Sequence, residues 1–101
     1  MENPNRWVIV EIKTPKETIQ KVFAGWSGGY LDGDSWKLNS GIVEAKEDGD
    51  YWLFTGHSGN VYRCFKYGYG MTNYMGSIYS SWINQLPEDT TMTILDNYPA
   101  A

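Results

Sequence analysis

The stretch WVIVEIK, residues 7–13, is rich in β-branched residues and predicts a β-strand. Successive side chains of a strand point to opposite faces, so its two faces carry different residues. They are Val8, Val10 and Ile12 on one face, and Trp7, Ile9 and Glu11 on the other. The regular structure of the chain is therefore expected to begin with a strand.

The next segment has the spacing of a helix. Thr14 can cap a helix, Pro15 suits its first position, and Glu17 completes a capping box. Apolar residues then recur at i, i+3, i+4 and i+7: Ile19, Val22, Phe23 and Trp26. Two glycines at 28–29 would end the helix. The spacing predicts a helix over 15–26. A hairpin is the competing interpretation, because the same residues also tolerate a strand.

Short alternating segments separated by Gly-containing turns follow from Ser35 to Lys66. After the alternation around Trp36 and Leu38, we expect strands over 42–47, 51–56 and 60–66. Consecutive strands joined by short turns form an antiparallel meander. The meander is therefore predicted over 35–66.

The first hairpin of this meander contains the dipeptide Asp48-Gly49, a strong turn signal. A two-residue turn at these positions pairs Ala45 with Trp52 and Val43 with Phe54. All four side chains then share one apolar face.

The second hairpin has two possible registers. A two-residue Ser58-Gly59 turn would place Arg63 on the apolar face, and burying an unpaired guanidinium costs several kcal/mol. A three-residue loop at 57–59, with Gly59 left-handed in a bulge, avoids this. The second register is preferred, and it pairs Phe54 with Tyr62 and Trp52 with Cys64.

A second helix is predicted over 72–86, because its apolar residues cover about half of the helix circumference. They are Tyr74, Met75, Ile78, Tyr79, Trp82, Ile83 and Leu86. A closing strand is expected over 90–95, beside the first one. The predicted fold is thus a single α+β domain over 1–101. It has a twisted, largely antiparallel sheet of about five to six strands and two helices, 15–26 and 72–86.

Charge and cysteine content exclude several classes of function. The net charge is −4 and the eight Lys and Arg residues are scattered, which argues against nucleic acids and anionic membranes as partners. Cys64 is the only cysteine and His57 the only histidine, so no disulfide, metal site or cofactor is expected. The start is polar and no run approaches the ~20 apolar residues of a membrane span. A cytoplasmic protein is expected.

Candidate catalytic groups do not combine into a site. The Asp-Gly-Asp repeats at 32–34 and 48–50 lack the Asp-x-Asp-x-Asp-Gly pattern of a calcium loop and are interpreted as turns. The preferred register places His57 in a turn and Cys64 on the core face, more than ~10 Å apart. We therefore expect that the protein is not an enzyme.

Aromatic residues are abundant: five Trp, eight Tyr and three Phe. So small a domain cannot bury every ring, and exposed aromatic residues with few charges are typical of protein interfaces. We expect self-association or binding of another protein through Tyr67, Tyr69, Tyr74, Tyr79 and Ile83. The alternative is a small-ligand or carbohydrate-binding module, with a pocket between helix and sheet. That pocket would be lined by Trp36, Tyr62 and Trp82.

Residues 36–70, WKLNSGIVEAKEDGDYWLFTGHSGNVYRCFKYGYG, resemble small uncharacterised bacterial proteins that are common among mobile genes, including integron gene cassettes. The shared pattern begins with Trp, a basic residue and Leu, followed by Asn or Ser and then by Ser. A hairpin comes next, and the pattern ends with Ser-Gly-x-Val-Tyr. The resemblance covers about a third of the chain. It implies a compact α+β fold and a dimer, and it provides no activity and no functional residues.

Overall fold

A computed structural model describes residues 1–29 and 33–99. The first two strands, β1 (Arg6–Lys13) and β2 (Thr18–Gly29), form an antiparallel hairpin in which Ile9 pairs with Val22. The predicted helix over 15–26 is therefore wrong, and the hairpin interpretation is right.

The polar residues before β2 form a turn in the place of a helical cap. The Thr14 hydroxyl accepts from the backbone N–H groups of Lys16 and Glu17, at 3.2 and 3.1 Å. These bonds also occur at a helix start, so the local sequence fits both structures. Long-range pairing with β1 decides between them, since β1 offers a complete ladder and apolar partners on both faces.

Two antiparallel sheets make up the described structure. β3 (Gly33–Leu38) pairs with β2, and β7 (Thr91–Ile94) pairs with β1, giving a four-stranded sheet of order β3-β2-β1-β7. β4 (Ile42–Asp48), β5 (Tyr51–Gly56) and β6 (Val61–Phe65) form a separate three-stranded sheet. The predicted single sheet of five to six strands is wrong, because the chain leaves the first sheet at 39–41 and β3 does not join the meander.

One α-helix is present in the described part of the chain, α1 (Asn73–Ile83), and a short 3-10 helix (Lys66–Gly68) precedes it. The Thr72 hydroxyl caps α1 by accepting from Met75 N–H at 3.1 Å. The helix predicted over 72–86 is thus present, but it ends at Ile83, three residues earlier than predicted. The fold is mostly sheet with one helix, not an α+β domain with two.

The four-stranded sheet lies between the helix and the three-stranded sheet. Alternate residues of β1 and β2 face opposite sides, which creates two cores. Trp7, Ile9, Val22 and Ala24 pack against Phe54, Tyr62 and Cys64 of the three-stranded sheet. Val8, Val10 and Phe23 pack against Met75 and its helical neighbours. β1 is therefore buried on both faces, with the faces assigned as the sequence predicts.

The register of the second hairpin is confirmed: Phe54 pairs with Tyr62 and Trp52 with Cys64. Gly59 has a positive φ of 95° and its N–H donates to the Gly56 carbonyl, as the three-residue loop requires. The first hairpin differs, because Gly49 and Asp50 form the turn. Ala45 consequently pairs with Phe54, so the predicted pairings of Ala45 with Trp52 and of Val43 with Phe54 are both wrong.

Candidate functional site

Three aromatic rings form a continuous row, two on the three-stranded sheet and the third on the 3-10 helix that follows β6. Tyr51 and Phe65 are paired across β5 and β6 with ring centroids 5.4 Å apart, and Tyr67 lies edge-on to Phe65, also at 5.4 Å. We call Tyr51, Phe65 and Tyr67 the aromatic row. Trp52 follows Tyr51 on β5, and Cys64 precedes Phe65 on β6. The side chains of Trp52 and Cys64 point to the opposite, inner face. The aromatic row therefore lies on the outer face of the molecule.

This outer face has no layer over it in the described structure, while the four-stranded sheet is covered on both sides. Phe65 remains 39% exposed and Tyr67 77% exposed. These values are high for large rings, and a contiguous group of exposed rings is typical of a binding surface. Tyr51 is half-buried because Arg63 lies over its ring.

Charged side chains surround the aromatic row. The Arg63 guanidinium carbon lies 3.4 Å from the centre of the Tyr51 ring, a cation–π contact. The pairing places Lys46 opposite Leu53 on the same outer face, and Asp48 opposite Tyr51. The face thus carries both signs of charge around an aromatic centre, which is the composition of a protein interface.

The predicted interface residues are dispersed in the structure. Tyr67 belongs to the aromatic row, whereas Ile83, 38% exposed, lies at the end of α1. Tyr74 is half-buried near the start of the same helix. The five residues therefore do not form one surface.

The remaining two predicted interface residues hold the fold together. The Tyr69 hydroxyl accepts from Ile9 N–H at 3.1 Å and donates to the Leu95 carbonyl at 2.6 Å. The Tyr79 hydroxyl donates to the Met92 carbonyl at 2.9 Å. Desolvation raises the pKa of both phenols above its ordinary value, which is already well above neutral pH, so both hydroxyls donate.

The residues of the predicted aromatic pocket lie on two sides of the four-stranded sheet. Trp36 and Trp82 meet edge-on, 5.1 Å apart, on the helix side. Tyr62 belongs to the core on the opposite side. The two tryptophan rings are inclined at 74°, so together they do not form one continuous flat surface.

Cys64 and His57 lie apart, as the register predicts. Cys64 is completely buried in the core between the sheets, where desolvation raises the pKa of its thiol, and His57 lies in an exposed turn. Across residues 1–29 and 33–99, no three His, Cys, Asp or Glu side chains are grouped so that they could hold a metal ion. No helix in the same residues has the length and apolar character needed to cross a membrane.

The second Asp-Gly-Asp repeat contains a turn, whereas Gly33 and Asp34 of the first repeat lie in β3. Gly49 adopts a positive φ of 59° in the turn between β4 and β5. Glu47 is not opposite Asp50, as the predicted turn would require, but opposite Trp52 and in contact with Lys66. In the first repeat, Asp32 lies outside the described residues.

The sequence contained the signal for the aromatic row, although the row was not among the predicted sites. The preferred register sends Trp52 and Cys64 inward, and therefore Tyr51 and Phe65 outward. Two aromatic residues paired on the outer face were thus a consequence of a correct prediction.

Comparison with known proteins gives no match: no family model, no curated protein and no solved structure matches this chain. The resemblance of residues 36–70 to gene-cassette proteins stays a prediction.

Proposed function

We propose that this is a non-enzymatic accessory protein that works by protein–protein contact and forms a homodimer through the aromatic row. The observation that carries the proposal is the exposure of Phe65 and Tyr67 on the uncovered sheet face. Aromatic and Arg side chains provide most of the binding energy in protein interfaces, and Arg63 lies within the same surface.

A second copy of the chain is the partner that fits this face best. Acidic Glu44 and Asp48 and basic Lys46 lie on the outer side of β4, and Arg63 lies beside them on β6. In a two-fold dimer the same surface faces itself, so a surface with both signs of charge can offer complementary partners. A strongly acidic or strongly basic partner would find equal numbers of repelling and attracting groups.

The compartment that suits this proposal is the cytoplasm. The chain has one cysteine, and it is a buried free thiol. A protein that holds together without disulfides has no need of an oxidising compartment.

The test is the mass in solution by sedimentation velocity over a range of protein concentrations. We expect the wild type to become a dimer as concentration rises into the high micromolar range. Tyr67→Glu should shift the equilibrium to monomer, because it places two carboxylates in the centre of the contact. The fold should be unchanged in circular dichroism, since Tyr67 is largely exposed.

Ile83→Glu is the matched control, because it places the same charge on another exposed apolar residue, outside the aromatic row. This variant should dimerise like the wild type. Dissociation by Ile83→Glu with an intact Tyr67→Glu dimer would assign the contact to the end of α1. A wild type that remains monomeric at every concentration would refute self-association.

A further inference from the structure

A polar cleft of about 270 Å³ lies beside the crossover from the first sheet to the second. Its walls come from the crossover residues Asn39 and Ser40, from Ser58 and Asn60 of the hairpin turn, and from Lys21 and Tyr62. The volume has room for roughly nine water molecules, and therefore for a ligand of several heavy atoms.

Asn39 is the buried polar residue of this cleft, and the NH₂ group of its side-chain amide has no hydrogen-bond partner. Asn39 is only 4% exposed. Its Oδ1 accepts from Val22 N–H at 2.9 Å and from Gly41 N–H at 3.3 Å. These two donors fix the orientation of the amide. Nδ2 consequently points away from them, and it has no hydrogen-bond partner.

An unpartnered donor at such a depth is unusual. Leaving a buried amide N–H without an acceptor costs about 1–3 kcal/mol, and folded proteins satisfy nearly all such groups. The cost is offset if a ligand bound in the cleft accepts a hydrogen bond from this donor. Nδ2 lies close to Gly56, where a Cβ would come within 3.2 Å of it. A Cβ at Gly56 would also lie 2.9 Å from Ser40 Oγ, so the glycine leaves the Asn39 amide and Ser40 the room they occupy.

The walls of the cleft offer donors and one positive charge. Ser40 Oγ accepts from Ser58 N–H at 2.9 Å and its hydroxyl donates to Ser58 Oγ at 3.2 Å, which leaves the Ser58 hydroxyl as the free donor of the pair. Lys21 provides an ammonium group, and no Asp or Glu is among the residues that form the walls. A ligand rich in acceptor oxygens and carrying a negative charge complements this set of groups.

Tyr62 adds a further donor at the edge of the same cleft. Desolvation, followed by the nearby charge of Glu2, raises the pKa of its phenol, so the hydroxyl keeps its proton at neutral pH. The Glu2 carboxylate is itself paired with Lys37 at 2.9 Å, which reduces its repulsion of a bound anion.

We propose that this cleft binds a small carboxylate, one oxygen of which accepts from Asn39 Nδ2 while the negative charge faces Lys21. The site is distinct from the aromatic row and does not depend on the proposed dimer. Tyr67→Glu should accordingly leave carboxylate binding unchanged.

The test is a titration with sodium acetate followed by ¹H–¹⁵N NMR of the full chain, with sodium chloride holding the ionic strength constant. The Asn39 side-chain NH₂ signals should shift in a saturable manner. Acetamide, which matches acetate in size but has no charge, should bind at least tenfold more weakly. An Asn39 NH₂ pair that stays unshifted, or that shifts equally with acetamide, would overturn the proposal and assign Nδ2 to solvent.

Two variants separate binding from folding. Asn39→Asp keeps the acceptor for Val22 and Gly41 but removes the donor, so acetate binding should be lost. Lys21→Gln leaves Asn39 intact and should weaken acetate binding at least tenfold, with no change in the backbone spectrum. Unchanged affinity in Lys21→Gln would overturn the proposal even if Asn39→Asp failed to fold.

Discussion

Cys64 is the clearest example of a single residue whose environment decides its chemistry. It is completely buried between Trp52 and the β1–β2 hairpin, and desolvation raises the pKa of its thiol. A thiol at such a site is a small hydrophobic group and not a nucleophile. This agrees with the prediction made from the strand register.

The raised pKa makes stability depend on pH in a defined direction. In the unfolded chain the thiol loses its proton above about pH 8.5, whereas in the folded protein it stays protonated. The contribution of Cys64 to the free energy of unfolding is therefore complete below about pH 8.5. It decreases as the pH rises, and the loss is roughly 1.4 kcal/mol at pH 9.5. Urea unfolding at pH 7.5 and 9.5 should show this loss in the wild type. Cys64→Ala should show a smaller loss, and equal losses would contradict the assignment.

Asn39 shows the limit of residue-level prediction. In the structure, the segment Asn-Ser-Gly at 39–41 connects β3 of the first sheet to β4 of the second. The partners of the Asn39 side chain come from β2 and its free donor faces β5. These contacts depend on how two sheets pack, and local spacing carries no information about them.

At the scale of the elements, local turn chemistry gave the correct pairing for the β5–β6 hairpin but not for the β4–β5 hairpin, whose turn lies one residue later than predicted. The loop at 57–59, the strands β5 and β6 and the start of α1 follow from nearby residues. β2 was harder, because Ile19, Val22, Phe23 and Trp26 fit a helical stripe. In the strand, Val22 and Phe23 enter opposite cores, which a helical spacing cannot reveal.

Two glycines allow the same substitution to be tested with opposite signs. Gly59 has a φ of 95° in the β5–β6 loop, and an alanine there is strained by about 1–2 kcal/mol. Gly76 lies inside α1 with open space where a Cβ would be, and an alanine there should stabilise by about 0.5–1 kcal/mol.

Urea midpoints of the two variants measure this difference directly. Gly59→Ala should lower the midpoint and Gly76→Ala should raise it, with similar m-values for both. A Gly59→Ala protein as stable as the wild type would show that the loop does not need the left-handed conformation.

In the whole molecule, the two sheets share one core and cannot be separated without exposing it. Trp7 of β1 contacts Phe54 of the other sheet at 5.5 Å, and its indole N–H donates to the Phe65 carbonyl at 2.7 Å. Tyr98, near the C-terminus, packs edge-on against both Trp52 and Phe54, at 5.0 Å each. The layers are thus connected at the centre and at the edge.

We therefore expect one cooperative unfolding transition. Tryptophan fluorescence and far-ultraviolet circular dichroism should give coincident urea curves at a fixed protein concentration. Hydrogen exchange should give similar opening free energies for the amides of Ile9 in one sheet and Leu53 in the other. Two separate transitions would mean that the sheets are independent units.

The central position of β1 also affects how the chain folds during its synthesis. β1 is synthesised early, yet the helix that covers one of its faces ends at Ile83 and its neighbour β7 ends at Ile94. At 5–20 residues per second, translation from Lys13 to Ile94 takes roughly 4–16 s. In the first part of that time the apolar segment Trp7–Val10 has only β2 as a partner, and the three-stranded sheet that covers Trp7 and Ile9 is complete only at Phe65. We therefore expect Val8 and Val10, which face the helix, to stay exposed in a nascent chain until α1 and β7 have been made.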